Sequence, residues 1–367
     1  MRIAFFGSSL LSSYWNGAAT YYRGIIAALA RRGCETTFYE PDAFDRQQHR
    51  DIDPPDWAQV VVYPATLEAM HRVCAEGAAQ ADLVVKASGV GIFDDEILET
   101  LLALTRRNEK PCVFWDVDAP ATLAGIDQDA HHPMRRALQQ LAFVFTYGGG
   151  PPVVEAYERF GARGCVPIYN GLDPDTHFPV PSANRFACDL AFLGNRLPDR
   201  EARVGEFFFS PARQLPERTF LIGGSGWEPW QLPPNTRHIG HVSTREHNAF
   251  NATPLAVLNV ARDSMAHVGY SPATRVFEAA GAGACLITDA WEGIELFLQP
   301  DQEILVARDG KDVTHHLASL TPERTRQIGE RARRRILNSH TYDHRAEQVL
   351  PLLDTLASAH RRNRVMA

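Results

Sequence analysis

Short apolar runs rich in Val, Ile, Leu and Phe recur along the whole chain, separated by longer stretches with helical spacing. Strands buried on both faces of a sheet read as unbroken apolar runs, and parallel neighbours need long crossovers, so the pattern specifies an α/β protein with parallel sheets. The first series of strands is expected at residues 2–6, 36–39, 60–63, 83–86, 112–116, 143–146 and 165–169. A second is expected at 189–193, 219–222, 238–241, 255–259, 285–288 and 303–307. The clearest helix runs from Gly17 to Arg32, where Ala18, Tyr22, Ile25, Ile26 and Leu29 share a face and Gly33 supplies the stop.

A length of 367 residues allows two domains of this kind. Prolines and turn formers cluster between Tyr169 and Pro181, which marks the linker and divides the chain into domains at 1–178 and 179–342. A last helix is expected at 343–367, with Ala346, Val349, Leu350, Leu353, Leu356 and Ala357 on one face and a kink at Pro351.

Composition excludes several classes. Lys and Arg total 37 against 44 Asp and Glu, and a net charge of -7 lacks the electropositive surplus that binding to a phosphate backbone requires. No apolar stretch approaches the ~20 residues that span a bilayer, and no signal-peptide pattern opens the chain, so a cytoplasmic location is expected. The six cysteines form no Cys-x-x-Cys pair and read as reduced, buried thiols. No metal site is expected: His131-His132 and His315-His316 lack carboxylates at ligand spacing.

Three glycine turns stand where strands give way to helices, the edge at which open α/β sheets bind ligands and at which helix N-termini favour phosphate. They are Gly7-Ser8 with Asn16-Gly17 behind it, Gly194-Asn195-Arg196 followed by Arg200 and Arg203, and Gly223-Gly224-Ser225-Gly226. None matches a dinucleotide or P-loop fingerprint. The most informative stretch is Asn259 with Arg262, then Tyr270-Ser271 and the run Arg275 to Asp289, in which a helix carrying Arg275 and Glu278 ends at glycines and enters a strand.

The run Arg275 to Asp289 resembles the nucleotide-sugar-binding helix, turn and strand of GT-B glycosyltransferases, closest to the CgeB-like, or spore-maturation-protein-like, group. The likeness extends over nearly the whole chain: residues 2–33 resemble the opening of the acceptor half, Asn170-Gly171-Leu172-Asp173 the hinge-side turn, and Gly194-Asn195-Arg196 the turn beneath the diphosphate.

It implies two Rossmann-like α/β/α domains facing a central cleft, an N-terminal acceptor domain and a C-terminal donor domain, with the last helix crossing back to the first. It further implies transfer of a sugar from a UDP-, dTDP- or GDP-linked donor to a hydroxyl acceptor, with no cofactor. The diphosphate would meet Arg196 and the glycine-turn amides, with Arg262 or Arg275 adding charge through planar forks that suit phosphate; Arg200 is a further substrate-binding candidate, and Glu278 would accept the two ribose hydroxyls.

One departure stands out. Retaining members of the wider fold carry two glutamates with seven residues between them, and the earlier position here, eight before Glu278, is Tyr270, which leaves retention or inversion open. Asp289 and Glu295 are further acids expected near the sugar. An inverting transfer needs a base, and Asp116 and Asp118 at the end of the fifth strand are the candidates, placed on one side by strand alternation.

Trp227, Trp230 and Trp291 suit either stacking or packing, and Tyr14 and Trp15 suit acceptor contact. The basic run Arg331 to Arg335 and the tail Arg361, Arg362 and Arg364 read as solvated faces, with attraction to an anionic membrane surface less favoured. Two rival functions fit the same residues: a nucleotide-sugar epimerase, and a non-catalytic nucleotide-sugar-binding protein.

Overall fold

The computed structural model describes residues 1–89, 91–228 and 231–366, with side chains described as far as residue 358. The chain divides into two compact units, one formed by Met1–Tyr169 with Tyr342–Ala367, the other by Asn170–Thr341.

The first unit holds seven strands: β1 (Arg2–Phe6), β2 (Glu35–Asp42), β3 (Gln59–Pro64), β4 (Leu83–Ala87), β5 (Cys112–Asp116), β6 (Phe143–Thr146) and β7 (Cys165–Pro167). They lie in the order β3-β2-β1-β4-β5-β6-β7, and every pair is parallel. β4 is central, and it and β5 are wholly buried, which is why they read as mostly apolar runs. The order reverses between β1 and β4, and the crevice above such a reversal is where this architecture places ligands.

The first helix forms over Ala19–Ala30, two residues later than expected, because Asn16 to Ala18 are taken up in the turn that enters it. It ends where Gly33 takes a left-handed φ of 83°. The last helix runs unbroken over Tyr342–Met366, with an exposed Pro351 inside it. Its first turn seats Tyr342 over Gly24, where a Cβ would come within 2.2 Å of the ring. Ion pairs from Arg32 to Asp343 and Glu347 flank the contact, but exposed pairs contribute ~0–1 kcal/mol each. Burial of Tyr342, Ala346, Val349 and Leu353 decides the docking, since a buried Val or Leu contributes about 1.5–3 kcal/mol.

The second unit holds β8 (Leu190–Leu193), β9 (Phe220–Gly223), β10 (Thr236–His238), β11 (Ala256–Asn259), β12 (Leu286–Asp289) and β13 (Leu305–Ala307). Their order, β10-β9-β8-β11-β12-β13, repeats the doubly wound plan, again all parallel. The strand expected at 238–241 forms earlier, because Thr236 to His238 pair with β9 and Gly240 then turns with φ 67°. Phe192, Phe208, Phe209, Phe220 and Trp227 fill the core of this unit. Trp227 is therefore packing, its indole N–H donating to the Gly194 carbonyl at 2.8 Å, while Trp230 lies outside the described residues.

The unit boundary at Tyr169 falls before the expected 178, because the turn after Asn170 packs within the second unit. Leu172 bridges to Thr341, and the Asn170 amide donates to the Pro272 carbonyl at 2.9 Å. All six cysteines are free thiols, five of them buried. Among the described residues no helix is long and apolar enough to cross a membrane.

Candidate functional site

In the second unit the residues singled out by sequence gather at the C-terminal edge of β8, β11 and β12. The turn after β8 interlocks with the turn after β9: the Gly194 amide donates to Gly223, the Arg196 amide to Ser225, and the Asn195 side chain accepts from the Ser225 amide at 3.0 Å. Gly224 makes this possible. It holds φ 115°, and a Cβ there would stand 2.3 Å from the Gly194 carbonyl oxygen.

Beneath these turns the helix Pro198–Val204 delivers Arg200, half-buried against the Phe192 ring, its Nη2 donating to the Asn195 carbonyl and its buried Nε without a partner among the described residues. Burial, together with the nearby cations Arg275 and Arg262, pulls the Arg200 guanidinium down to about 10. It stays charged at neutral pH. A guanidinium lowered by burial and by two neighbouring arginines marks a place of crowded positive charge, the condition that an anionic ligand relieves. Arg262 also meets Asp199 at 2.6 Å and Arg275 donates to Asn251 at 3.2 Å. Arg196 instead pairs with Glu201 at 2.6 Å, so its guanidinium is held along its own turn.

Glu278 sits on the helix Thr274–Gly281, 7% exposed. No hydrogen bond to its carboxylate is formed by the described residues; the His177 Nε2 lies 4.0 Å from its Oε1. Burial alone would favour the neutral acid, but His177, Arg275 and His247 hold its carboxyl below the usual range, so it is anionic at neutral pH. A nearly buried carboxylate with empty acceptor positions is set up for a donor-rich ligand.

His177 and His247 complete this cluster, and no spacing signal along the chain marks either. His177 arrives because Gly281 lets the turn after Asn170 lie against the helix: a Cβ at Gly281 would stand 2.3 Å from Leu172 Cδ1 and 3.1 Å from the His177 carbonyl. Burial pulls the His247 imidazole down to about 4, leaving it neutral. One ligand atom each from His177, His247 and Glu278 lie within 4.8 Å of one another, a grouping that a divalent cation would suit, whereas the sequence pointed to no metal.

Other candidates hold the fold around the site. Asn259 donates to Thr288, and the wholly buried Asp289 accepts from Arg203, the Ala261 amide and the Thr288 hydroxyl. Ser271 bonds the Gly269 carbonyl, and Tyr270, with φ 49°, donates to Glu292 at 2.8 Å. Glu295 is exposed in the short turn Ile294–Leu296.

In the first unit the turn after β1 is tied by its own side chains. The Ser8 hydroxyl donates to Asn16, whose amide donates to the carbonyls of Ser9 and Ser12, and Gly7 leaves room for the Phe38 ring. Gly17 is open around its Cα. Tyr14 and Trp15 stand out from this turn, 41% and 51% exposed.

β5 ends at Asp116, so strand alternation does not reach Asp118, which instead precedes the helix Ala119–Gln128. Asp116 is wholly buried and accepts from Ser88, Tyr157 and the Asp118 amide; burial pushes its carboxyl up. Asp118 is half-buried at the rim. His132 caps the helix Pro133–Leu138, and His316 contacts the Val306 carbonyl. Arg331, Arg334 and Arg335 are exposed on the helix Pro322–Ser339, and the side chains of Arg361, Arg362 and Arg364 lie outside the described residues.

Residues 200–351 match a family model described as glycosyl transferase-like. No curated protein matches the chain in sequence. Among solved structures, the sucrose-phosphate synthase of Thermosynechococcus elongatus is similar over 98% of this chain and 100% of its own, with a TM-score of 0.72 at 15% identity. HepE of Anabaena in complex with UDP and glucose covers 97% and 100%, with a TM-score of 0.70 at 14% identity. An alpha-glucosyltransferase in complex with UDP and a DNA 13-mer covers 98% and 99%, with a TM-score of 0.68 at 10% identity. The fold is GT-B.

Proposed function

We propose that this protein, whose residues 200–351 match a glycosyl transferase-like family model, is a glycosyltransferase that moves a sugar from a nucleoside-diphosphate donor to a hydroxyl acceptor. The observation that carries the donor reading is Glu278: an anionic, nearly buried carboxylate to which the described residues make no hydrogen bond, on the same sheet edge as Arg200, whose guanidinium is lowered by burial and by the neighbouring Arg275 and Arg262. A ribose diol supplies two donors to one carboxylate, and a diphosphate supplies the charge that the arginines lack. The similar structures described in complex with UDP support a nucleotide at this edge.

In this reading the arginines also carry catalysis by stabilising the diphosphate as it leaves, which is worth most where water is excluded. The first unit supplies the acceptor side, with Tyr14 and Trp15 on the exposed turn and Asp118 at the rim of β5. Asp118 serves as base if transfer inverts; if transfer retains configuration, leaving-group stabilisation dominates. Asp116, sealed by three donors, shapes that rim from behind. Among finer groupings, the order of the Gly194, Arg275 and Glu278 motifs supports the CgeB-like group. The glycosyl transferase-like domain favours transfer over epimerisation.

Calorimetry with UDP, GDP and dTDP, followed by donor consumption with and without hydroxyl acceptors, tests the reading. One nucleotide should bind, and Glu278→Ala should weaken it by about 1–3 kcal/mol, the loss for a hydrogen bond to a charged group. Binding untouched by Glu278→Ala would remove Glu278 from the site. Epimerised donor in the absence of acceptor, or binding without any turnover, would replace transfer by one of its rivals.

A further inference from the structure

His177 is 4% exposed, and its buried Nε2 has no hydrogen-bond partner among the described residues and lies 4.0 Å from Glu278 Oε1. A buried imidazole nitrogen left unpaired costs free energy unless a ligand or a small movement completes it. The other ring nitrogen is already placed. Nδ1 lies 2.9 Å from the Thr176 hydroxyl, which also lies 3.2 Å from the Asp173 carbonyl. The hydroxyl donates to that carbonyl as it stands; turned instead onto Nδ1, it would leave the imidazole's own proton on Nε2, as an N–H facing the carboxylate.

Resting on the donor reading above, we infer that His177 is a positioning residue that fixes Glu278 for a ribose 2′,3′-diol and so restricts the donor to ribonucleoside diphosphates, against 2′-deoxy ones. Rotation of either side chain closes the gap to hydrogen-bond length. Nε2–H then occupies one lone pair of Oε1 and leaves the outward lone pairs to the two hydroxyls. Arg275 and His247 also face the carboxylate, the first as a fixed cation and the second as a neutral ring. A site built to bond a hydroxyl discriminates strongly against the analogue that lacks it, because its buried acceptor is then left unpaired. Without His177 the carboxylate keeps its charge but loses its orientation, and the 2′-hydroxyl loses its advantage.

The experiment is calorimetry of UDP and GDP against 2′-deoxy-UDP and 2′-deoxy-GDP, using the full chain. In the wild-type protein the better ribonucleotide should bind about ten- to a hundredfold tighter than its deoxy counterpart. His177→Leu should bring that ratio within about threefold while the deoxy nucleotide binds nearly as before, and His177→Gln, whose amide reaches the same place, should restore most of it.

Thr176→Val, at an exposed position, tests the same chain of contacts if His177→Leu does not fold; it should lower the ratio at least about twofold. A ratio unchanged in folded His177→Leu or in Thr176→Val overturns the inference and leaves the donor reading standing. Equal binding of ribo- and deoxynucleotide by the wild type also overturns it. Failure of the wild type to bind any ribonucleotide overturns the donor reading and the inference together. Stoichiometric uptake of Zn²⁺ that requires His177 and His247 and blocks UDP overturns it too, by making the three side chains a metal site.

Discussion

Arg203 and Asp289 meet with Nη2 2.5 Å from Oδ2, and the carboxylate in this pair is wholly buried. Asp289 also accepts the Ala261 amide through both oxygens, so one side chain joins the end of β12, the exit of β11 and the helix that carries Arg200. Burial nevertheless pushes its carboxyl up despite the arginine. Desolvation outweighs attraction, as it does for many buried pairs.

The pair should therefore matter more when broken than when replaced. Arg203→Met should destabilise the protein by about 3 kcal/mol, because it leaves an uncompensated buried carboxylate. Arg203→Met combined with Asp289→Leu should lose much less than the sum of the single changes. Urea unfolding of the four proteins checks this, and additive losses would refute it.

Gly224→Ala should cost about 2 kcal/mol or more. Its Cβ would meet the Gly194 carbonyl at 2.3 Å in a left-handed conformation that only glycine takes without strain. Thermal unfolding should fall, and nucleotide binding with it, since the same turn overlies Arg200.

Arg200→Met should separate charge from bulk. Affinity for a nucleoside diphosphate should drop about ten- to a hundredfold, the worth of a charge-assisted contact, with much less effect on the free nucleoside. Rising salt should shrink the difference. Equal losses for nucleoside and nucleotide would place Arg200 away from the phosphates.

Asp116 supplies a pH test. Its carboxyl is raised above the usual 3.8 by burial, so the folded protein binds the proton more tightly than the unfolded chain. That contribution to stability is complete below the unfolded value and is lost as pH rises through the folded one. Wild-type stability relative to Asp116→Asn should decline upward from about pH 4, as denaturation at a series of pH values would show. A difference that grows with pH would contradict the assignment.

Asp118→Asn should leave nucleotide affinity unchanged. If transfer inverts the anomeric carbon, turnover should fall by about 10²–10⁴-fold, the usual contribution of a general base. If the product retains configuration, turnover should barely change; proton NMR of the product's anomeric signal tells the two cases apart.

The sequence alone determined the two parallel sheets and nearly every strand in them. Strands sealed on both faces are largely apolar: β8 is so throughout, and β4 and β5 carry one charged residue each, Lys86 and Asp116. It also marked the turns at Gly194 and Gly224 and the helix bearing Arg275 and Glu278, because glycine and charge at the ends of apolar runs are local features.

Only the tertiary structure decided which of those charges are spent. Arg196 and Asp289 look like ligands in the sequence, yet each is held by a partner, Glu201 for one and Arg203 for the other. His177 looks like an ordinary turn residue, yet Gly281 lets its turn close on the helix and sets an imidazole before Glu278, far along the chain. Periodicity is written within a dozen residues, whereas the pairing of buried charges depends on contacts between distant segments that no local pattern encodes.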